Sequence, residues 1–195
     1  MKVTVLGAAK EVGRSAFLID TNNAKILLDY GVMLRRKEPL FPIHVKPKDI
    51  DAVVITHAHL DHSGFVPSLF LSKDITTYST QPTLELSSLL IEDMIRISGF
   101  YLPFEYIDLI AMQKSSRSTS YREPFSLNDT TVVFHESGHV VGGSTVVVEY
   151  DNKRIFYTGD INTKGTKMMR AMDLDIGDID LIITESTYAI EDHQP

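Results

Sequence analysis

The sequence contains no cysteine. That absence excludes a disulfide framework and thiolate metal ligands, so any metal site must be built from His, Asp and Glu, a set better suited to catalytic zinc or manganese than to structural zinc. It also favours an intracellular, cytoplasmic location over secretion. Positive charge is in deficit as well: 19 Lys and Arg stand against 26 Asp and Glu, a formal net charge of -7. Such a surface as a whole repels a nucleic-acid backbone, and an RNA substrate would need local attraction from bound metal ions or a basic patch. Long apolar runs are missing too. The opening Met1-Lys2-Val3-Thr4-Val5-Leu6-Gly7 is strand-like and lacks the apolar core of a signal peptide, and no stretch reaches membrane-spanning length. Repeats and low-complexity linkers are also lacking.

What is present is enough for one sizeable core: 195 residues with 43% hydrophobic composition, a length that favours a single domain. Short apolar strand candidates lie at residues 2–6, 15–20, 25–29 and 52–56, separated by Gly, Asn and Pro. Over residues 83–98, Leu86, Leu90, Met94 and Ile97 recur at helical spacing, with Pro82 just before them, which predicts an amphipathic helix. Residues 100–122 read as a helical excursion ending in a mobile loop over the polar Gln113-Lys114-Ser115-Ser116-Arg117-Ser118 run. Strands are expected again at 131–135, 144–150, 154–158 and 181–184. The mixture predicts a layered α/β sandwich with helices outside packed sheets.

The chemistry concentrates after the apolar strand Ala52-Val53-Val54-Ile55-Thr56. That strand runs straight into His57, which places His57, His59, Asp61 and His62 at a strand's carboxyl end, where α/β folds commonly hold ligands. Three imidazoles and a carboxylate within six residues supply nitrogen and oxygen donors at a density that stability rarely needs. A solvated, His-rich loop would only crowd titratable rings into mutual repulsion, which a metal removes. Four residues cannot complete two metal shells. Two further positions stand at strand ends beside glycine: His139 in Ser137-Gly138-His139 and Asp160 in Thr158-Gly159-Asp160. Taken alone, a strand-end Asp after Gly is usually a turn residue and a lone loop His usually incidental.

The histidine-rich motif, the Gly-His, the Thr-Gly-Asp and the early Leu27-Leu28-Asp29-Tyr30-Gly31 occur in the order typical of the metallo-β-lactamase superfamily. Residues 7–15 (Gly-Ala-Ala-Lys-Glu-Val-Gly-Arg-Ser) and Thr184-Glu185-Ser186-Thr187-Tyr188 resemble its β-CASP branch, with archaeal relatives of the cleavage and polyadenylation specificity factor endonuclease and ribonuclease J. The resemblance spans residues 2–188. It implies a metallo-β-lactamase αββα sandwich holding two zinc ions, with manganese as the other metal the donors suit. His57, His59 and His139 would bind one ion, Asp61 and His62 the second, with Asp160 between them. It further implies that Asp29 orients a ligand imidazole through a hydrogen bond and that Glu185 helps arrange leaving-group protonation. Read without the resemblance, Asp29 is a strand-end turn residue and Glu185 a cap or surface charge. Arg14 and its neighbouring glycines resemble a cleft-lining feature; the bland alternative is a turn whose Arg14 meets a surface carboxylate.

The implied activity is hydrolysis of an RNA phosphodiester by a two-metal-activated hydroxide, in mRNA 3′-end processing or RNA decay. Another hydrolase of the same fold and a non-catalytic RNA-processing subunit are the competing readings. The family's later histidines are missing because the chain stops at Pro195, so residues 1–188 are expected to form the amino-terminal part of the metallo-β-lactamase domain. Residues 189–195 would be a tail leading toward an absent β-CASP domain. On this expectation the sandwich is incomplete at its carboxyl end, the second metal site is underfilled unless His193 is recruited, and a second chain or self-association completes the fold.

Overall fold

A computed structural model gives the fold, with residues 1–35, 38–72, 75–98, 101–187 and 189 described. Tyr188, His193 and all of the expected tail except Ala189 lie outside the described residues. The first sheet holds β1 (Lys2–Val5), β2 (Phe17–Asp20), β3 (Lys25–Leu28), β4 (Ala52–Val54), β5 (Thr76–Ser79) and β6 (Ser116–Ser118), in that spatial order. β1, β2 and β3 pair antiparallel, and β3 to β6 run parallel. The second sheet has the order β11 (Leu181–Ile183), β10 (Lys153–Tyr157), β9 (Ser144–Tyr150), β8 (Thr130–Glu136), β7 (Phe125–Leu127). It is antiparallel except for the β10–β11 pair.

Period-two alternation decides what each strand buries. Ile26 and Leu28 of β3 face Val132, Phe134, Val146 and Val148 of the second sheet, whereas Leu27 between them faces the helices with Val53. β3 is therefore apolar on both sides, as a strand covered on both faces requires. Three helices follow: α1 (Leu60–Ser63), a single turn, α2 (Gln81–Ile97) and α3 (Tyr106–Lys114). The Thr80 hydroxyl accepts the Thr83 N–H at the start of α2, and Pro82 lies in its first turn, where a missing N–H costs nothing.

The helix stands where the sequence predicts it, but its buried face differs. Leu84, Ser87, Ile91 and Met94 point inward, while Leu86 is 39% and Ile97 72% exposed. A serine fits the buried stripe because its hydroxyl donates to the Thr83 carbonyl at 2.7 Å, which hides it from a count of apolar residues. The expected mobile loop at 113–118 is a second departure. There α3 runs to Lys114 and the chain then enters β6, whose Ser116, Arg117 and Ser118 pair with Thr77, Tyr78 and Ser79. β6 is an edge strand with two of its three side chains exposed, so backbone pairing holds it and no apolar alternation announces it.

The layered α/β sandwich expected from the sequence is present. Among the described residues, helices cover only the first sheet. The outer face of the second sheet is covered instead by irregular chain, with Ile161, Met172, Ile176 and Ile179 on Val147 and Phe156. A polar clasp fastens this strap: the Arg122 guanidinium donates twice to Asp173, at 2.8 Å each, and His135 Nδ1 lies 3.1 Å from the same carboxylate. The Arg122 hydrogen bonds, foremost, hold the Asp173 carboxyl down at about 2. No described helix is long and apolar enough to cross a membrane.

Candidate metal centre

The rim of the sandwich at the carboxyl ends of β3 and β4 collects the polar groups that the interior excludes. β3 runs into Asp29, whose positive φ of 55° turns the chain sharply, and the buried carboxylate lies beneath the histidine motif. Four donors meet it. Thr56 N–H donates to Oδ1 at 2.7 Å, while Thr56 Oγ1, Tyr157 Oη and His62 Nδ1 reach Oδ2 at 2.8, 2.7 and 2.7 Å. Two residues after Asp29, a Cβ on Gly31 would lie 1.7 Å from the Asp61 carbonyl oxygen, so only glycine lets this segment dock against α1. Tyr30 and Val32 then donate their N–H groups to the carbonyls of His62 and Leu60, fixing the helix that carries Asp61 and His62.

Asp29 anchors two rings. His62 Nδ1 is engaged by the carboxylate, which turns Nε2 toward the cleft as the ring's remaining donor atom. The Thr56 hydroxyl spends its proton on Asp29, so it accepts from His57 Nδ1 at 3.1 Å and leaves His57 Nε2 a free donor atom as well. The electrostatics follow burial and partner. Burial, then the neighbouring His62, His59 and His139 rings, pushes His57 far below the usual imidazole range. Burial acts the same way on His62, but the Asp29 and Asp160 carboxylates outweigh it and raise that ring to about 10. Burial lowers His139 and raises Tyr157, the latter helped by Asp29.

Above this base the donor atoms converge. His57 Nε2 lies 3.0 Å and His139 Nε2 3.4 Å from His59 Nδ1; Asp160 Oδ2 lies 3.8 Å from His57 Nε2 and 3.6 Å from His139 Nε2. All four fall within 4.8 Å of one another. A tetrahedral ion with bonds of about 2.0–2.1 Å spaces its donors about 3.3 Å apart, and three nitrogens with one carboxylate oxygen form a donor set for zinc or manganese. The residues fit such an ion. A second group stands beside the first: His62 Nε2 is 3.4 Å from Asp160 Oδ1 and 3.8 Å from Asp61 Oδ2.

A cavity of about 400 Å³ opens over Asp61, His62 and Asp160, walled by residues 10–13 and 184–187. Glu185 lines it, but its carboxylate accepts the Thr187 N–H at 3.0 Å, so it also caps a turn. Arg14 does not line the cavity; it meets Glu11 at 2.6 Å and the Phe41 carbonyl at 2.8 Å, holding the early loop closed. The sequence reading did not single out Tyr157, or Ser15, whose hydroxyl lies 3.4 Å from His62 Nε2. A tyrosine inside the apolar strand Ile155-Phe156-Tyr157 was the available signal, because a buried phenol needs a partner.

A model of the metallo-beta-lactamase superfamily matches residues 9–171. The chain belongs to that superfamily. It is similar to RNase aCSPSF2 of Saccharolobus solfataricus, 32% identical over 97% of this chain and 39% of the relative. It is also similar to a probable RNase MJ4 of Methanocaldococcus jannaschii, 36% identical over 99% and 47% of the two chains. The chain thus spans less than half the length of these curated relatives. Its fold is similar to that of the metallo-beta-lactamase fold protein YhfI from Bacillus subtilis, with a TM-score of 0.53 and 19% identity over 81% of this chain and 61% of that one. These relatives agree with the archaeal β-CASP resemblance read from the motifs. For this superfamily member, fold and His/Asp group together imply binding of a divalent metal.

Proposed function

We propose that this chain is the metal-binding part of a zinc-dependent ribonuclease that hydrolyses RNA phosphodiesters, in mRNA 3′-end processing or RNA decay. The observation that carries the two-metal reading is the placement of Asp160. Its Oδ2 faces the His57, His59 and His139 nitrogens while its Oδ1 faces His62, so one carboxylate addresses two donor groups. Two zinc ions, or manganese, would supply Lewis acidity toward the phosphoryl oxygens and a water nucleophilic at neutral pH. His57, His59 and His139 would hold one ion, Asp61 and His62 the other, with Asp160 shared. Asp29 would hold the Nδ1 sides of His62 and, through the Thr56 hydroxyl, His57, so that their Nε2 atoms are aimed at the ions. Glu185, which lines the cavity, would help arrange leaving-group protonation through its carboxylate.

RNA as the substrate is supported by the names of the two relatives, an RNase and a probable RNase, and fits work in the cytoplasm. The layout we propose is a metallo-β-lactamase portion over residues 1–188, with a second chain or self-association completing the fold. Bound metal per chain, measured by elemental analysis before and after zinc loading, tests the site. About two zinc ions, reduced in His59→Ala, are expected; no zinc in the loaded parent would overturn the proposal. Cleavage of labelled single-stranded RNA against a thioester and a lactone then tests the chemistry, and turnover of either ester in place of RNA would point to another hydrolase of this fold.

A further inference from the structure

The chain carries 26 acidic residues against 19 basic ones, yet residues 161–172 hold Lys164, Lys167 and Arg170 and no carboxylate. All three cations are exposed, and none takes part in an ion pair among the described residues. Arg14, Arg122 and Lys153 are instead paired, with Glu11, Asp173 and Asp180. Other lysines, such as Lys2 and Lys48, are also unpaired among the described residues, and what sets the three apart is their grouping beside the metal centre in a stretch without a carboxylate. A cluster of unpaired like charges repels itself, a cost that an anionic partner would relieve.

Position gives the cluster its meaning. The segment follows directly on Asp160, so the Cα of Lys164 can lie no farther than about 14 Å from that carboxylate's own Cα. Its far end returns to the metal centre from the other side. A Cβ on Gly138, the residue before His139, would meet the Asn162 carbonyl at 2.6 Å, the Met172 nitrogen at 2.7 Å and the Arg170 carbonyl at 2.9 Å. The neck is closed by Met172 N–H donating to the Asn162 carbonyl at 2.9 Å and Asn162 N–H donating to that of Ser137 at 3.0 Å.

The exposed part is braced from within. Lys164 N–H donates to Asn162 Oδ1, Met169 N–H to Thr166 Oγ1 and Thr166 N–H to the Met169 carbonyl, at 3.0, 3.0 and 2.8 Å. The charges thus sit on a shaped turn whose ordering cost falls on folding and not on binding.

We propose that residues 162–170 form a basic arm that grips the backbone of single-stranded RNA beside the metal centre. The inference rests on the ribonuclease reading and supplies the local attraction that the acidic chain otherwise lacks. Lys164, Lys167 and Arg170 each neutralise a phosphate; bases are not read by the arm.

The test is fluorescence anisotropy of a labelled phosphorothioate oligo-uridine, which resists hydrolysis, with the zinc-loaded full chain over a range of salt. The triple variant Lys164→Ala, Lys167→Ala, Arg170→Ala is expected to show a log–log salt slope shallower by about 2 and affinity about a hundred-fold weaker near 0.1 M salt. Its thermal midpoint and zinc content stay those of the parent. Lys2, Lys25 and Lys48 lie toward the opposite end of the first sheet, and their triple alanine variant is expected to keep the parent's slope. A parental slope in the arm variant, or an equal loss in the control, overturns the arm. Hydrolysis of bis(4-nitrophenyl) phosphate by the parent separates the two readings: with hydrolysis and an indifferent arm variant, only the arm fails. If the parent neither hydrolyses the diester nor binds the oligonucleotide, the ribonuclease reading fails and the arm with it.

Discussion

The outer faces of the two sheets are covered in different ways. The first sheet lies under α2 and α3, which close a wide core through Ile91, Met94, Leu109 and Met112, all buried against Leu27, Val53 and Ile55. The second lies under the irregular strap, where, among the described residues, three buried ones, Val147, Phe156 and Met172, pack with three partly buried isoleucines. The strap compensates with polar fastening, the clasp of Arg122 and His135 on Asp173. Helices satisfy their own backbone and can be devoted to packing, whereas irregular chain leaves backbone groups and side chains free to face a site. The helical layer therefore carries stability, and the strap carries Asp160 at its start and the basic arm along its length.

Four substitutions would break or sharpen that contrast. The largest effect is expected at Asp29, which ties the sheets together by accepting from Thr56 and His62 of one half and Tyr157 of the other. Asp29→Ala strands four buried donors and should cost upwards of about 4 kcal/mol with loss of bound zinc; a urea midpoint near the parent's would refute the cross-tie. Next comes Ile91→Ala in the helical layer, expected to lower unfolding free energy by about 3 kcal/mol while the folded protein retains its zinc. If zinc affinity fell in proportion, the division between packing layer and site would collapse.

Met172→Ala, in the strap, should do the reverse. A loss of about 2 kcal/mol in a urea titration is expected because the site is shallow, together with weaker zinc retention against a chelator, since the Met172 side chain seats the stretch whose N–H closes the neck of the arm beside Gly138. Unchanged retention would mean that the strap does not position the site. The smallest effect concerns the clasp. Asp173 is held at about 2, below the ordinary carboxylate value, so its contribution is fully present above about pH 4 and disappears as pH falls through 2. Asp173→Asn should flatten the acid limb of stability between about pH 4 and pH 2, measured by urea midpoints at stepped pH; superimposable limbs would show that the clasp holds nothing.

Much of the strand layout could be read in the sequence because Val53, Val54, Leu27 and their neighbours form short β-branched or apolar runs broken by turn residues. The face of α2 could not, because Ser87 is buried by satisfying its hydroxyl locally while Leu86 and Ile97 stay in solvent. β6 escaped because an edge strand of Ser-Arg-Ser is held by backbone pairing alone. At the site, the motifs supplied the names His57, His59, Asp61, His62, His139 and Asp160 in advance. They did not supply Tyr157 or the path by which Asp29 reaches His57 through the Thr56 hydroxyl.

The sequence by itself determined which donor types are available, their order along the chain and the apolar runs that place them at strand ends, since these depend on residue chemistry and local period alone. Only the tertiary structure decided which oxygen of Asp160 faces which histidine, that one buried carboxylate anchors both His62 and, through Thr56, His57, and that the stretch with Lys164, Lys167 and Arg170 returns beside Gly138. Those outcomes depend on distances between residues more than a hundred positions apart, which are set when the two sheets pack and cannot be read from spacing along either one.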